Sequence, residues 1–351
     1  MFFVNQKTSM EMEILEQADV LEAIFTTHVN ENNYILFDIP TDIKKVVLVA
    51  SGSSYHCARY CADLFGNIAN IEARAIYSSE FLLKSIVPHE AEILYVFITQ
   101  SGETSDTNSA LKKAKELGMR TLCITNKKGS SIWENSDFQI DCLAGEEKSI
   151  AATKSLTAQM LCSTLLVLKY AAHKGIDIVP YLNQLRTLSK SINDTYKLQG
   201  RIKHAARFLS KFKNLVVTAD GISYALAKEA SLKIKETSYI NVYSNILGEF
   251  MHGHLAVLNN RQALVHISID ELSYTAIKNL NKIKNEYKSK ICILGCSNEK
   301  IKTKFHIDIN IESPIVKSFC IVVIIQLLAL EIAKRLHRNV DKPHGLNKIV
   351  Q

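Results

Sequence analysis

One part of the chain repeats another at a spacing of 169 residues, the difference between positions 52 and 221. At this spacing Gly52-Ser53-Ser54-Tyr55 matches Gly221-Ile222-Ser223-Tyr224, and Val96 matches Val265. The same spacing places residues 122–124 (LCI) on residues 291–293 (ICI), which predicts an ungapped register. Repetition at one fixed spacing indicates two copies of a single structural unit. A chain of 351 residues is long enough for two such domains.

Within the first copy, apolar runs that are typical of buried parallel strands alternate with segments of helical pattern. The predicted strands are 45–50, 93–99, 120–124 and 138–143. The predicted helices are about 55–65, 105–117 and 153–173. Strands that alternate with helices favour an α/β fold, with a doubly wound, mostly parallel sheet in each copy.

Hydroxyl side chains follow the predicted strand ends of the first copy. They form three groups: Ser51, Ser53 and Ser54; Ser101, Thr104 and Ser105; and residues 149–155 (SIAATKS). Hydroxyls and free N–H groups at helix starts favour a bound phosphate, although Ser and Thr also cap helices without any ligand. The second copy has Asp270-Glu271 where the first has Ser101-Gly102, and two carboxylates repel phosphate. The sequence therefore predicts one phosphate site, in the first copy.

The composition excludes several classes of protein. Lys plus Arg is 42 and Asp plus Glu is 35, a net charge of +7 without a dominant basic block, which does not favour nucleic acid. The 8 Cys lack metal-ligand spacing and predict reduced thiols and no metal. The apolar run 2–4 is too short for a signal peptide, and the apolar stretch 318–333 is interrupted by Gln326 and Glu331. We expect a cytoplasmic protein that does not enter a membrane.

Ordered motifs along the chain resemble the SIS (sugar isomerase) domain family, and within it the isomerase half of the glucosamine-6-phosphate synthases and the glucosamine-6-phosphate deaminases. The motifs are 13–17 (EILEQ), 51–55 (SGSSY), 99–104 (TQSGET), 150–154 (IAATK), 232–236 (LKIKE), 248–253 (GEFMHG) and 341–348 (DKPHGLNK). The resemblance implies two tandem SIS domains, each flavodoxin-like, and a short C-terminal tail. The predicted boundaries are an N-terminal helical segment 1–33, SIS domains 34–176 and 207–340, connecting helices 177–206, and a catalytic tail 341–351.

The resemblance also implies a role for individual residues. The sugar phosphate is expected to bind Ser54, Gln100, Ser101 and Thr104, and further substrate contacts are expected from the set Ala152, Lys233 and Glu147. Glu236 would be the base that moves a proton between C1 and C2 of the sugar, although without the resemblance it reads as a solvated helix residue paired with Lys233. His252 would open the sugar ring and come from the partner subunit, so the implied assembly is a homodimer with a shared active site.

By the same resemblance, Lys348 in the tail matches the lysine that forms an imine with the open-chain ketose in the synthases. A lysine this near a terminus is usually mobile, but Leu346, Ile349 and Val350 predict that the tail docks. No cofactor is expected. The leading hypothesis is conversion of glucosamine 6-phosphate to fructose 6-phosphate and ammonia, without the glutamine-hydrolysing domain of the synthases. The alternatives are an isomerase or deglycase for another phosphorylated sugar, and a non-catalytic sugar-phosphate sensor.

Overall fold

The structure is a computed structural model that describes residues 7–85, 88, 90–296 and 298–348. Its ten described strands form two parallel five-stranded sheets. The strands are β1 Lys45–Ala50, β2 Glu72–Tyr77, β3 Ile93–Thr99, β4 Arg120–Thr125, β5 Phe138–Asp141, β6 Asn214–Ala219, β7 Asn241–Ile246, β8 Ala263–Ser268, β9 Lys290–Gly295 and β10 Phe305–Asp308. The helices are α1 Ser9–Leu15, α2 Gln17–His28, α3 Gly52–Leu64, α4 Ser78–Leu83, α5 Ser105–Glu116, α6 Ser131–Asn135, α7 Lys154–His173, α8 Val179–Leu185, α9 Leu188–Tyr196, α10 Gln199–Leu209, α11 Ser223–Ser238, α12 Leu247–Phe250, α13 Tyr274–Glu286 and α14 Pro314–Arg335.

The chain divides into two compact units, each built around one sheet. Among the described residues, the β1–β5 unit contains those within 17–147, 154–189 and 347–348, and the β6–β10 unit contains those within 7–16, 148–153 and 190–346. Both units are therefore discontinuous in sequence. The domain boundaries of the sequence analysis stay a prediction.

In the β1–β5 unit the strand order is β2-β1-β3-β4-β5, and all neighbouring strands are parallel. β3 is buried along its whole length, which its continuous apolar sequence requires. α7 is buried over almost all of its 20 residues, and it packs on α2 and α3. The carboxyl ends of β1 and β3 lie at one edge of this sheet, and the polar loops follow them there.

In the β6–β10 unit the order is β10-β9-β8-β6-β7, which is the same topology. α14 is apolar and long enough to cross a membrane, but its most apolar 18-residue window is entirely buried. α14 packs on α1, α10 and α11. It is a core helix of this unit and not a membrane span.

The predicted α/β fold with two parallel sheets is confirmed, but the ungapped repeat register is wrong in one strand. Val96 of β3 is opposite Leu122 of β4, whereas Val265 of β8 is opposite Cys292 of β9. The equivalent of Leu122 is thus Cys292 and not Ile291, because one additional residue lies between β8 and β9.

The edge strand β2 is absent from the sequence prediction. Its sequence, EARAIY, alternates polar with apolar residues, and only one side of the strand pairs, with β1. Edge strands lack the continuous apolar run that identified β1 and β3. Two predicted boundaries also move: α3 begins at Gly52, and β5 ends at Asp141.

Candidate active site

The β1–α3 loop brings Ser54 to the carboxyl end of the first sheet. Gly52 begins α3 with φ +57°, a left-handed conformation that glycine adopts without strain. The Ser54 hydroxyl donates to Gln159 Oε1 of α7 at 2.9 Å. The Ser51 side chain makes no capping hydrogen bond to α3, so capping does not account for this serine.

The β3–α5 loop is fixed from within. Gly102 has φ +70°, and a Cβ there would lie 2.0 Å from Ser130 Oγ, so only glycine fits. Glu103 accepts hydrogen bonds from Ser131 N at 2.8 Å and Ser131 Oγ at 2.7 Å. These two bonds hold the pKa of Glu103 below its ordinary value. Ser101 and Gln100 lie half-buried in the loop thus held.

Thr104 precedes α5, and Ser273 holds the matching place before α13 in the second copy. Ser273 caps its helix by accepting from Ala276 N at 3.1 Å. The Thr104 side chain makes no capping bond and instead lies 3.0 Å from Thr99 Oγ1. The capping interpretation thus holds for the second copy and fails for Ser51 and Thr104 in the first.

Glu147 and Lys348 form an ion pair within the β1–β5 unit. Lys348 Nζ lies 2.6 Å from Glu147 Oε2, and the Glu147 side chain is 0% exposed. Glu147 also accepts from Ser155, from N at 3.1 Å and from Oγ at 2.7 Å. Buried carboxylates are stable only when paired and hydrogen-bonded, and these three contacts meet that requirement. The tail thus places Lys348 beside a carboxylate whose position is already fixed by Ser155.

The predicted apolar docking of the tail is wrong for Leu346, which is 38% exposed. Polar contacts hold the tail instead: within the β6–β10 unit, His344 N donates to Tyr239 Oη at 2.7 Å. Ile349 and Val350 lie outside the described residues.

Three residues of alternating charge lie along α11 and are called here the charged ladder: Glu229, Lys233 and Glu236. Lys233 Nζ lies 2.6 Å from Glu236 Oε2 and 3.5 Å from Glu229 Oε1. The Lys233 side chain is 1% exposed and that of Glu236 is 21% exposed, so the solvated-face interpretation is wrong for Lys233. Breaking such a buried pair typically costs about 3–5 kcal/mol. Glu229 and Lys233 are four residues apart, which is the spacing at which side chains meet on a helix, so the sequence itself carries a signal for this pair.

His252 lies in the turn after α12 and is exposed. Its backbone N donates to Glu249 O at 2.9 Å. Gly253, with φ +100°, follows it and turns the chain into a short 3₁₀ helix, His254–Val257. The imidazole is accessible, as a group that reacts with a ligand must be.

Ala152 lies in the loop 148–153, which belongs to the β6–β10 unit and is held by α1. The Glu13 carboxylate accepts from Ser149 N at 3.2 Å, from Ser149 Oγ and from Lys148 N. Thr153 O accepts from Gln326 Nε2 of α14 at 3.2 Å. Glu13 belongs to a motif that carries the resemblance, but the sequence alone assigned it no role.

In the part of the chain that the structure describes, no group of three or more His, Cys, Asp or Glu side chains could hold a metal ion. The cysteines are free thiols, and all except Cys296 are buried. Burial raises the pKa of Cys292 to about 12 and that of Cys123 to about 11, so neither readily forms the thiolate.

The two segments that contain the sheets both match one protein family. The SIS domain family matches residues 41–169 and 208–333, and these two segments contain the two sheets. The chain belongs to this family of sugar-phosphate isomerases.

Two relatives with known names align with most of this chain. The chain is 30% identical over 348 residues to a glutamine–fructose-6-phosphate aminotransferase (isomerizing) of Aquifex aeolicus, covering 98% of this chain and 58% of that protein. For the protein of that name in Gloeobacter violaceus, identity is 32% over 323 residues, covering 89% of this chain and 52% of that protein. The chain thus spans little more than half the length of these relatives.

Solved structures share the fold. The C-terminal domain of glucosamine-fructose-6-phosphate aminotransferase from Francisella tularensis has a TM-score of 0.89 at 24% identity, over 96% of this chain and 99% of that one. Glucosamine-6-phosphate deaminase from Thermotoga maritima has a TM-score of 0.78 at 20% identity, over 98% of this chain and 99% of that one.

Proposed function

We propose that this protein converts glucosamine 6-phosphate and water to fructose 6-phosphate and ammonia through an open-chain intermediate. The phosphate binds the loops that carry Ser54, Gln100, Ser101 and Thr104. Hydroxyl donors to a charged phosphate make charge-assisted bonds, which are about twice as strong as neutral ones. Ala152, Lys233 and Glu147 support the substrate contacts. The protein acts without a cofactor, in the cytoplasm.

The observation that carries the proposal is the ion pair between Lys348 and the buried carboxylate of Glu147. A sugar-phosphate sensor has no need of a lysine held on a buried acid. A lysine attacks a carbonyl carbon as the free amine, so it must first give up a proton. Glu147, 2.6 Å from Nζ, is positioned to accept that proton. The pair therefore favours a catalyst over a sensor.

Glu236 is the proposed base for the isomerisation. It removes the proton from C2 of the open-chain amino sugar and returns it to C1, while a second proton passes from the C2 amine to the C1 oxygen, which leaves an imine at C2 and a hydroxyl at C1. The free amine of Lys348 attacks C2 of that imine and displaces ammonia, and water then hydrolyses the resulting lysine imine to fructose 6-phosphate and the free amine. Lys233 is shared between Glu236 and Glu229, so it holds the Glu236 carboxylate in place without neutralising both acids. His252 opens the ring by donating a proton from its imidazole to the ring oxygen.

Glucosamine-6-phosphate deaminase from Thermotoga maritima has this fold, and the proposed reaction is the one in its name. The opposite reaction, from fructose 6-phosphate to the amino sugar, consumes ammonia and so needs a source of it. Incubation with glucosamine 6-phosphate should release ammonia and fructose 6-phosphate in equal amounts. Interconversion of another phosphorylated sugar, with no ammonia released, would instead favour the isomerase or deglycase alternative.

Replacing Ser101 and Thr104 together by Ala should raise KM strongly and lower kcat less. The reason is that a phosphate remote from C1 and C2 contributes mainly binding energy. Steady-state kinetics with glucosamine 6-phosphate measure the split. The control is Ser273→Ala, which removes a helix cap worth about 1 kcal/mol and should lower stability without changing KM. An equal rise in KM for the control would contradict a single phosphate site.

The proposed active unit is a homodimer in which His252 acts in the partner's site. Mixing a His252→Ala chain with a Glu236→Gln chain should restore part of the activity, since hybrid dimers then hold one intact site. Activity is measured after subunit exchange has been verified with differently labelled chains. If exchange occurs and activity does not return, each chain builds its own site.

A further inference from the structure

The amino-terminal edges of the two sheets differ in charge. At the edge of the first sheet, basic side chains are neutralised by carboxylates. The pairs are Arg120–Asp42, Lys44–Glu92, Lys45–Glu72 and Lys115–Asp137. This edge therefore carries little net charge.

In the second sheet, three of those bases persist and the four carboxylates do not. Sheet register and the repeat spacing place Lys213, Lys284 and Lys290 where the first copy has Lys44, Lys115 and Arg120. The positions of Asp42, Glu72, Glu92 and Asp137 are taken by Lys211, Asn241, Arg261 and Lys304. Three acids have become bases and one has become neutral, so this edge has none of the four carboxylates that pair with the bases of the first copy.

Three of these bases, Lys284, Lys290 and Lys304, line a groove of about 730 Å³ in the β6–β10 unit. Five lysines line it: Lys284, Lys288, Lys290, Lys302 and Lys304. Among the described residues, no carboxylate lines the groove, and none forms an ion pair with any of the five. Ammonium groups held together repel one another unless an anion neutralises them.

We propose that this groove binds a chain of two or more phosphate groups, either free or as part of a nucleotide. Each phosphate oxygen can accept a charge-assisted hydrogen bond from a lysine, and several phosphates are needed to engage lysines spread along the groove. The volume is that of a small-molecule site, which ranges from about 300 to 1,000 Å³. Ser289 and Thr303 add hydroxyl groups to the lining.

The aromatic residues of the groove argue against single-stranded nucleic acid. Proteins that bind it present free aromatic faces on which bases stack. Here Phe208 and Phe305 stack on each other, with ring centroids 3.8 Å apart and planes 10° apart. His204 also stacks on Phe305, with centroids 5.2 Å apart. These rings stiffen the groove wall and leave the lysines as its recognition elements.

The test is calorimetric titration of the whole protein with inorganic tripolyphosphate at low ionic strength, with fructose 6-phosphate present to occupy the proposed sugar site. Saturable binding is expected, and added salt should weaken it because screening reduces charge attraction. The double variant Lys302→Gln with Lys304→Gln should weaken binding at least about 10-fold, since two charged donors are lost. Lys304→Asp, which restores the acid of the first copy, should weaken it by itself.

The matched control is Lys112→Gln with Lys278→Gln, which removes two exposed lysines outside the groove lining. It should change the affinity less than about 2-fold, because surface charges far from a ligand are screened. Titration with ATP distinguishes the sources: tighter binding than tripolyphosphate identifies a nucleotide, and equal binding identifies the phosphate chain alone. Absence of saturable binding, equal loss in the control, equally tight binding of inorganic phosphate, or preference for an oligonucleotide would each overturn the proposal.

Discussion

Lys348→Met should lower turnover of glucosamine 6-phosphate at least about 10²-fold while the affinity for fructose 6-phosphate stays near that of the unaltered protein. The rate falls because a positioned covalent or acid–base group is lost, and such groups contribute about 10²-fold or more. The affinity persists because the phosphate loops follow β1 and β3 and do not include the tail. Removal of residues 347–351 should have the same effect.

Two measurements separate this role from a structural one. Lys342→Met removes the same charge from an exposed position of the tail and should leave turnover unchanged. Borohydride added with fructose 6-phosphate should reduce an imine to a stable amine on Lys348, which mass spectrometry of peptides locates. Full ammonia release by the truncated protein would refute a catalytic tail. Tight binding of sugar phosphates without any turnover in the intact protein would favour the sensor.

Glu236→Gln should lower kcat by about 10²- to 10⁴-fold, the range for loss of a general base. The glutamine amide oxygen can still accept from Lys233, so folding should persist. The direct measurement is exchange of solvent deuterium into C1 of fructose 6-phosphate, which reports proton transfer without ammonia release. Exchange at the rate of the unaltered protein would exclude Glu236 as the base.

The control for this variant is Glu229→Gln on the same helix. Glu229 is also a partner of Lys233 but is almost completely buried. Its replacement should lower the melting temperature, because Lys233 then loses a buried counter-ion. Deuterium exchange by the folded fraction should continue. A loss of exchange equal to that of Glu236→Gln would mean that the charged ladder acts as a unit and that neither acid is the base alone.

The sequence predicted the sheets well where burial dictates composition. β1 and β3 are continuous apolar runs because helices cover both faces of the sheet, and such runs are legible without a structure. β2 is half exposed at an edge, and its mixed sequence carries no comparable signal. The one-residue shift before β9 escaped detection because similar apolar residues follow one another there, so either alignment looks alike.

For the candidate site, the sequence indicated which polar residues lie in the loops, but it did not indicate which residues they contact. The hydroxyl groups after β1 and β3 were legible, since polar residues interrupt an apolar pattern. The burial of Lys233 could not be predicted, because a Lys-rich helix segment is usually solvated. Its burial depends on α14, which packs against α11 and lies about 90 residues further along the chain. Glu13 shows the same difficulty, since Ser149 lies 136 residues away.

The hydrogen bonds from Ser9 N and Met10 N to Asp341, both 2.9 Å, have a consequence for how the protein can be made. α1 gains this cap only after residue 341 has been synthesised, so the β6–β10 unit cannot be completed early in translation. Its loop 148–153 is also encoded inside the other unit's sequence. Dividing the gene between the repeats would strip the second half of α1 and of that loop. The duplicated halves have become inseparable parts of one folding reaction, and a split protein should regain its structure only when both fragments are present together.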